Sequence, residues 1–159
     1  MLYLKLYYAM KYIKLYEDFQ LGDLNFMSPE EIQKFFMKEC EKKTPDLNLI
    51  RVILDNGLVD VNAKWDGKTP LHVAVRGGNI ALAEYLISAG ADVNTKDRYG
   101  DSPLHYATYR DNEEIAKLLI SAGADVNAKN DIGMSPLEVA VYRDNVEMQS
   151  LLKQHGAVE

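Results

Sequence analysis

The chain repeats itself at an interval of 33 residues, and this limits its fold more than any other feature. Pro70, Pro103 and Pro136 share that spacing, as do Gly67, Gly100 and Gly133, and the same interval links Gly57, Gly90, Gly123 and Gly156. Units of this size cannot bury a core alone; they become stable by stacking on neighbours, so the fold has to be read as an array of units. Each full unit opens on a glycine turn followed by a hydroxyl–Pro–Leu step: Thr69-Pro70-Leu71, Ser102-Pro103-Leu104 and Ser135-Pro136-Leu137. That order predicts a helix start, with the hydroxyl accepting from an unpaired backbone N–H and proline at the first helical position, where its missing donor costs nothing.

A short helix then carries small apolar residues, Val73-Ala74-Val75, Tyr106-Ala107 and Val139-Ala140-Val141, which lets neighbouring helices approach closely. A second helix follows, with Leu82, Tyr85 and Leu86 in one unit and Ile115, Leu118 and Leu119 in the next at helical spacing. It closes at Gly90 or Gly123, where glycine takes the left-handed conformation, and a turn-forming Ala-Asp-Val-Asn segment comes after it. Each unit is thus turn, helix, helix, turn.

The stretch from Gly67 through Thr69-Pro70-Leu71-His72 to Ala74, with Gly90-Ala91-Asp92-Val93-Asn94 and its copy at 123–127, resembles the ankyrin repeat over roughly residues 45–159. The resemblance implies an all-α repeat solenoid, stacked helix pairs with hairpin-like loops projecting from them and a concave side, to which the residues before it add extra N-terminal helices. It divides the chain into residues 1–44, a helical extension with capping helices, and residues 45–159, the repeat domain. Within the domain a partial first repeat covers 45–64 and full repeats cover 65–97, 98–130 and 131–159. Because such arrays act as interaction modules, the implied function is non-catalytic binding of a protein partner.

The two ends depart from the pattern. Glu138 stands where His72 and His105 stand, and Gln149, Ser150 and Lys153 replace apolar or alternative residues of the earlier second helices, as expected of a terminal unit facing water. At the other end, Ser28-Pro29-Glu30-Glu31 reads as an N-cap, a proline at N1 and a capping-box glutamate opening a helix to about Lys42. In residues 2–20, Lys11, Lys14, Glu17 and Asp18 share one side of an amphipathic helix whose remaining surface is apolar. The expectation is that it packs on the first helices; docking on a partner, self-association or a membrane interface remain alternatives. Lys5, Lys11 and Lys14 interrupt any run long enough to span a bilayer or serve as a secretory h-region.

Composition narrows the function classes. A formal charge of −6 and a sequence pI near 5.1 supply no global field to gather nucleic acid, so none is expected as a partner. The single cysteine, Cys40, can form neither an intrachain disulfide nor a Cys-rich zinc site, and suits an intracellular, reducing setting, a cytoplasmic protein or an effector delivered into a host cell. Glu39 and Glu41 beside it should raise its pKa and blunt its nucleophilicity. His72 and His105 are equivalent residues of the repeat, and the resemblance implies that they bond between adjacent loops; no metal, cofactor or catalytic site is expected.

If stacking fixes the framework, contact must come from positions the motif leaves free. At the loop tips these are Trp65, Asp66, Lys68, Arg98, Tyr99, Asp101, Asp131, Ile132 and Met134; on the first helices they are Arg76, Tyr109, Arg110, Tyr142 and Arg143. Trp, Tyr and Arg bury large areas with few rotors and also carry donors, which suits them to an interface. Asp111 and Asp144 replace the helix-ending glycine kept as Gly78.

Overall fold

A computed structural model describes residues 28–158; the reading of residues 2–20 as an amphipathic helix lies outside them. The described residues form eight helices: α1 (Pro29–Glu41), α2 (Leu47–Asp55), α3 (Pro70–Arg76), α4 (Ile80–Ser88), α5 (Pro103–Tyr109), α6 (Glu113–Ser121), α7 (Pro136–Tyr142) and α8 (Val146–Gln154). The only strand-like pairing among them is the bridge between Trp65 and Lys68. α3 packs on α4, α5 on α6 and α7 on α8, while α1, α3, α5 and α7 touch in sequence as one layer and α4, α6 and α8 as another. The structure is an all-α stack of helix pairs.

The helix starts follow the hydroxyl–proline signal with one change. Ser28 and Ser135 accept from the N–H groups of Glu31 and Glu138 at 3.3 and 3.2 Å. At Thr69 and Ser102 the hydroxyls instead lie 2.7 and 2.8 Å from Nδ1 of His72 and His105, where the O–H can donate to an unprotonated ring nitrogen three residues on. The second helices begin at Asn79, Asn112 and Asn145, whose side-chain oxygens accept from Leu82, Ile115 and Met148.

The core is one continuous column running through the units. Leu71, Leu104 and Leu137 fill one level, Leu82, Ile115 and Met148 another, and all are essentially inaccessible. Ala74, Ala107 and Ala140 are buried between them, and only a methyl-sized side chain allows the first helices to sit this close. Each fully buried Leu or Ile contributes about 1.5–3 kcal/mol, and both the paired helix and the neighbouring unit pack against this column. α1 joins the column through Phe36, Met37 and Cys40. Burial first, then Glu39 and Glu41, pushes the Cys40 thiol up to about 12.

Asp111 and Asp144 take the left-handed conformation of Gly78, with φ of 53°, 55° and 70°. The sequence left the geometry at these positions open, and the chain keeps the glycine conformation with an aspartate in it. At the last unit, Gln149 replaces the buried Ala83 and Ala116 and donates to the Ala140 carbonyl at 3.3 Å. Its edge is not wholly polar: Val141 is 53% exposed where Val75 and Thr108 are fully buried.

Candidate functional site

The loops are tied from unit to unit by repeated side-chain bonds, most of them to backbone. Asn62 donates to the Gly90 carbonyl at 3.1 Å and accepts from Asp92 N–H at 2.8 Å, and Asn94 and Asn127 repeat both bonds toward residues 123–125 and 156–158. Lys64 donates to the Lys96 carbonyl, Lys96 to that of Lys129, and Lys129 to the Glu138 carboxylate. These asparagines and lysines are therefore spent on holding the loops in register.

His72 and His105 fasten the same joints from inside. Nε2 of His72 lies 3.1 Å from the Asp101 carbonyl and Nε2 of His105 lies 3.0 Å from that of Met134. A carbonyl only accepts, so Nε2 carries the proton, and Nδ1, which receives the N–H of Thr69 or Ser102, is bare. Burial holds both imidazoles below their usual pKa, against opposing contributions from the carbonyl bond and nearby aspartates. They are neutral structural linkers, as the resemblance implied. Glu138 in the same place accepts from Ser135 N–H at 2.6 Å and from Lys129 at 2.5 Å. Those bonds, Lys129 first, hold its carboxyl down at about 2.

The loop tips differ between units. Trp65 and Lys68 exchange backbone bonds of 2.8 and 3.0 Å around Asp66 and Gly67, both at positive φ, the conformation of a tight two-residue hairpin. The next two loops are one residue longer, closed by Asp97 N–H to the Asp101 carbonyl and Asn130 N–H to that of Met134. Asp131 N–H also donates to the Tyr99 carbonyl at 3.0 Å, locking adjacent tips together. Tyr99 and Ile132 are left 59% and 76% exposed at equivalent positions.

The structure corrects one predicted contact residue. Asp101 is buried, not free: its carboxylate accepts from Asn130 Nδ2 at 2.8 Å and from the Tyr109 hydroxyl at 3.3 Å. The pairing uses groups from a helix and from the following loop, which makes Asp101 a strut. Tyr109 is half-buried for the same reason, and burial and Asp101 raise its phenol pKa.

The other candidates fall into two groups. Arg76 pairs with Glu41 at 3.4 Å, Arg98 with Asp66, and Arg143 with Asp111 at 2.7 Å, so these arginines are partly engaged by their own chain. Arg98 also lies 5.6 Å from the centre of the Tyr99 ring. Arg110, Tyr142, Asp131, Ile132 and Tyr99 are exposed, whereas Trp65, Lys68 and Met134 are half-buried. Arg110 and Tyr142 have no side-chain hydrogen bond or ion pair among the described residues. Two residues on this side escaped the sequence reading, Lys34 and Lys38 of α1, which the helical spacing to Glu41 would have revealed once Glu41 was tied to Arg76.

Among the described residues, no group of three or more His, Cys, Asp or Glu side chains is placed to hold a metal ion, and no helix is long and apolar enough to cross a membrane.

A family model described as ankyrin repeats in many copies matches residues 53–107, and one for the single ankyrin repeat matches residues 99–131. An ankyrin repeat protein of fowlpox virus is 33% identical over 69 residues, covering 43% of this chain and 19% of that protein. The potassium channel SKOR of Arabidopsis thaliana is 44% identical over 57 residues, 35% of this chain and 7% of the channel. A palmitoyltransferase of Eremothecium gossypii is 39% identical over 54 residues, 32% of this chain and 8% of the enzyme. The chain spans about a fifth or less of the length of these relatives.

Proposed function

Because the chain is an ankyrin-repeat protein and such repeats are generally protein–protein interaction modules, we propose that it binds a partner protein through the loop tips and the first-helix layer, without catalysis of its own. One observation carries this reading. The framework polar groups, Asp101, Asn130, the histidines and the loop asparagines, are bonded within the chain, while Tyr99, Ile132, Tyr142 and Arg110 stand exposed beside them. These are side-chain types that make strong contact residues, at positions the stack does not use. An intracellular setting belongs to the same proposal and rests on the sequence, whose one thiol is buried.

The test is capture of a partner from native lysate by the full chain and by a Tyr142→Ala, Arg110→Ala variant. These two side chains carry no framework bond, so circular dichroism and melting should match the unmodified protein while the captured species is lost. Tyr109 is a poorer target, since its hydroxyl supports Asp101. Capture that survives the double substitution with its affinity intact counts against this surface.

A further inference from the structure

We propose that this surface is electrically divided and that its Trp65 end receives an acidic segment of the partner. The inference rests on the interaction reading above and adds the chemistry of what binds. Lys34, Lys38 and Glu41 are spaced four and three residues apart on α1, which puts them on one face of the helix. Its neighbours fix where that face looks: the Lys34 ammonium lies 5.7 Å from the centre of the Trp65 ring, and Glu41 meets Arg76 at 3.4 Å. Lys34 and Lys38 therefore border the same side as the first hairpin and the end of α3.

Lys68 faces Trp65 across that hairpin and occupies the repeat position of Asp101. One unit later the corresponding pair is Asp101 with Tyr109, an acid bonded to a phenol; here the two places hold Lys68 and Arg76, two cations. Three of the nearby carboxylates are already engaged. Glu31 accepts from Ser28 N–H and lies near enough to Lys34 to be favoured in its charged form, Glu41 takes Arg76, and Asp66 takes Arg98. Lys34, Lys38 and Lys68 are left with no carboxylate in an ion pair or hydrogen bond among the described residues. In a chain of net charge −6, this is a local excess of the opposite sign, and such an excess selects and orients an anionic partner. Toward the other end, Tyr99 and Ile132 present apolar area, so the matching segment carries carboxylates at one end and apolar side chains at the other.

Trp65 is the chain's one tryptophan, so its emission reports on this end directly. The full chain is titrated with a synthetic peptide of a glutamate run followed by leucines, and with the counterpart in which glutamine replaces every glutamate. The expected result is a saturable change in Trp65 emission with the glutamate peptide only, weakening about ten-fold when salt is raised enough to screen exposed charges. The response should vanish in Lys34→Glu, Lys38→Glu, Lys68→Glu, with the glutamine series at those positions used if reversal lowers the melting temperature. Ile132→Asp should weaken binding at all salt concentrations.

No response, equal response to the two peptides, or glutamate-peptide binding unchanged in the lysine variants overturns the proposal. Partner capture that is lost in Tyr142→Ala, Arg110→Ala but retained in the lysine variants removes only the acidic-segment inference. Capture retained in both sets removes the interaction surface itself.

Discussion

The internal joints and the last unit carry the same turn and the same helix start, yet they satisfy the third helical residue in different ways. His72 and His105 reach forward and donate to a carbonyl of the following loop. Glu138 reaches back, taking its cation from Lys129 and its N–H from Ser135. An internal joint is thus incomplete without its successor, whereas the unit from Pro136 closes its polar bonds with residues that precede it. The first arrangement ties a joint to the loop that follows it, and the second draws only on the helix start itself and the loop before it.

The largest test of this contrast is His105→Ala against Glu138→Ala. Loss of the imidazole leaves the Ser102 N–H and the Met134 carbonyl without it and opens a cavity in a fully buried site. The expected cost is about 3 kcal/mol. Glu138 is half-exposed, and its removal should shift the denaturant midpoint far less. Equal shifts would show that the forward bond is not what makes an internal joint dependent.

Next in size is a glycine pair. Gly100 has φ of 73°, and a Cβ built on it would lie 2.6 Å from Asp131 backbone nitrogen, while Gly133 has φ of 81° and nothing within 4 Å. Gly133→Ala should cost only the left-handed conformation, about 1 kcal/mol. Gly100→Ala must in addition push the next loop away, and should cost about 2–3 kcal/mol by chemical denaturation. If the two substitutions cost the same, the loops are not in firm contact at this joint.

The contrast also predicts two separate pH ranges. Burial depresses the histidine pKa values, so on unfolding below pH about 6.5 each imidazole takes up a proton that the folded form refuses. Stability should be full above that pH and fall as pH drops through the depressed folded values, by at most about 1.4 kcal/mol per unit for each group. Glu138 runs from an ordinary 4.5 down to about 2, so its contribution persists through the histidine range and fades only as pH falls below about 4.5 toward 2. Melting curves of His72→Gln and His105→Gln should be flatter between pH 7 and 5 than those of the unmodified chain, within about those bounds.

The array was legible in the sequence because its marks recur in register: glycines and prolines impose local geometry, and repetition confirms each one. The Ser28–Glu31 helix start was legible for the same local reason. The candidate surface was less so. Asp101 looked like a free loop residue, but its partners are Tyr109, eight residues on, and Asn130, in the next loop; no local pattern encodes that meeting. Lys34 and Lys38 were hidden because the side that α1 turns toward the hairpin depends on how it crosses α3. Arg143 looked available until Asp111, one unit back, was seen to hold it.

Asp111 and Asp144 offer the smallest and sharpest form of the comparison, since both hold a left-handed φ that glycine adopts freely. Arg143 and Asn145 bond to Asp111 at 2.7 and 2.9 Å and keep its carboxyl below the usual range; Asp144 has no such partner among the described residues. Asp144→Gly removes conformational strain alone and should stabilise the chain by up to about 1 kcal/mol. Asp111→Gly gains the same relief but loses its bonds to the following unit, so its net effect should be near zero. An Arg143→Ala background removes one of the two partners and leaves only the Asn145 bond to lose, so Asp111→Gly should there turn stabilising, though less so than Asp144→Gly. If it does not, the strained aspartate is retained for a reason other than its hold on the next unit.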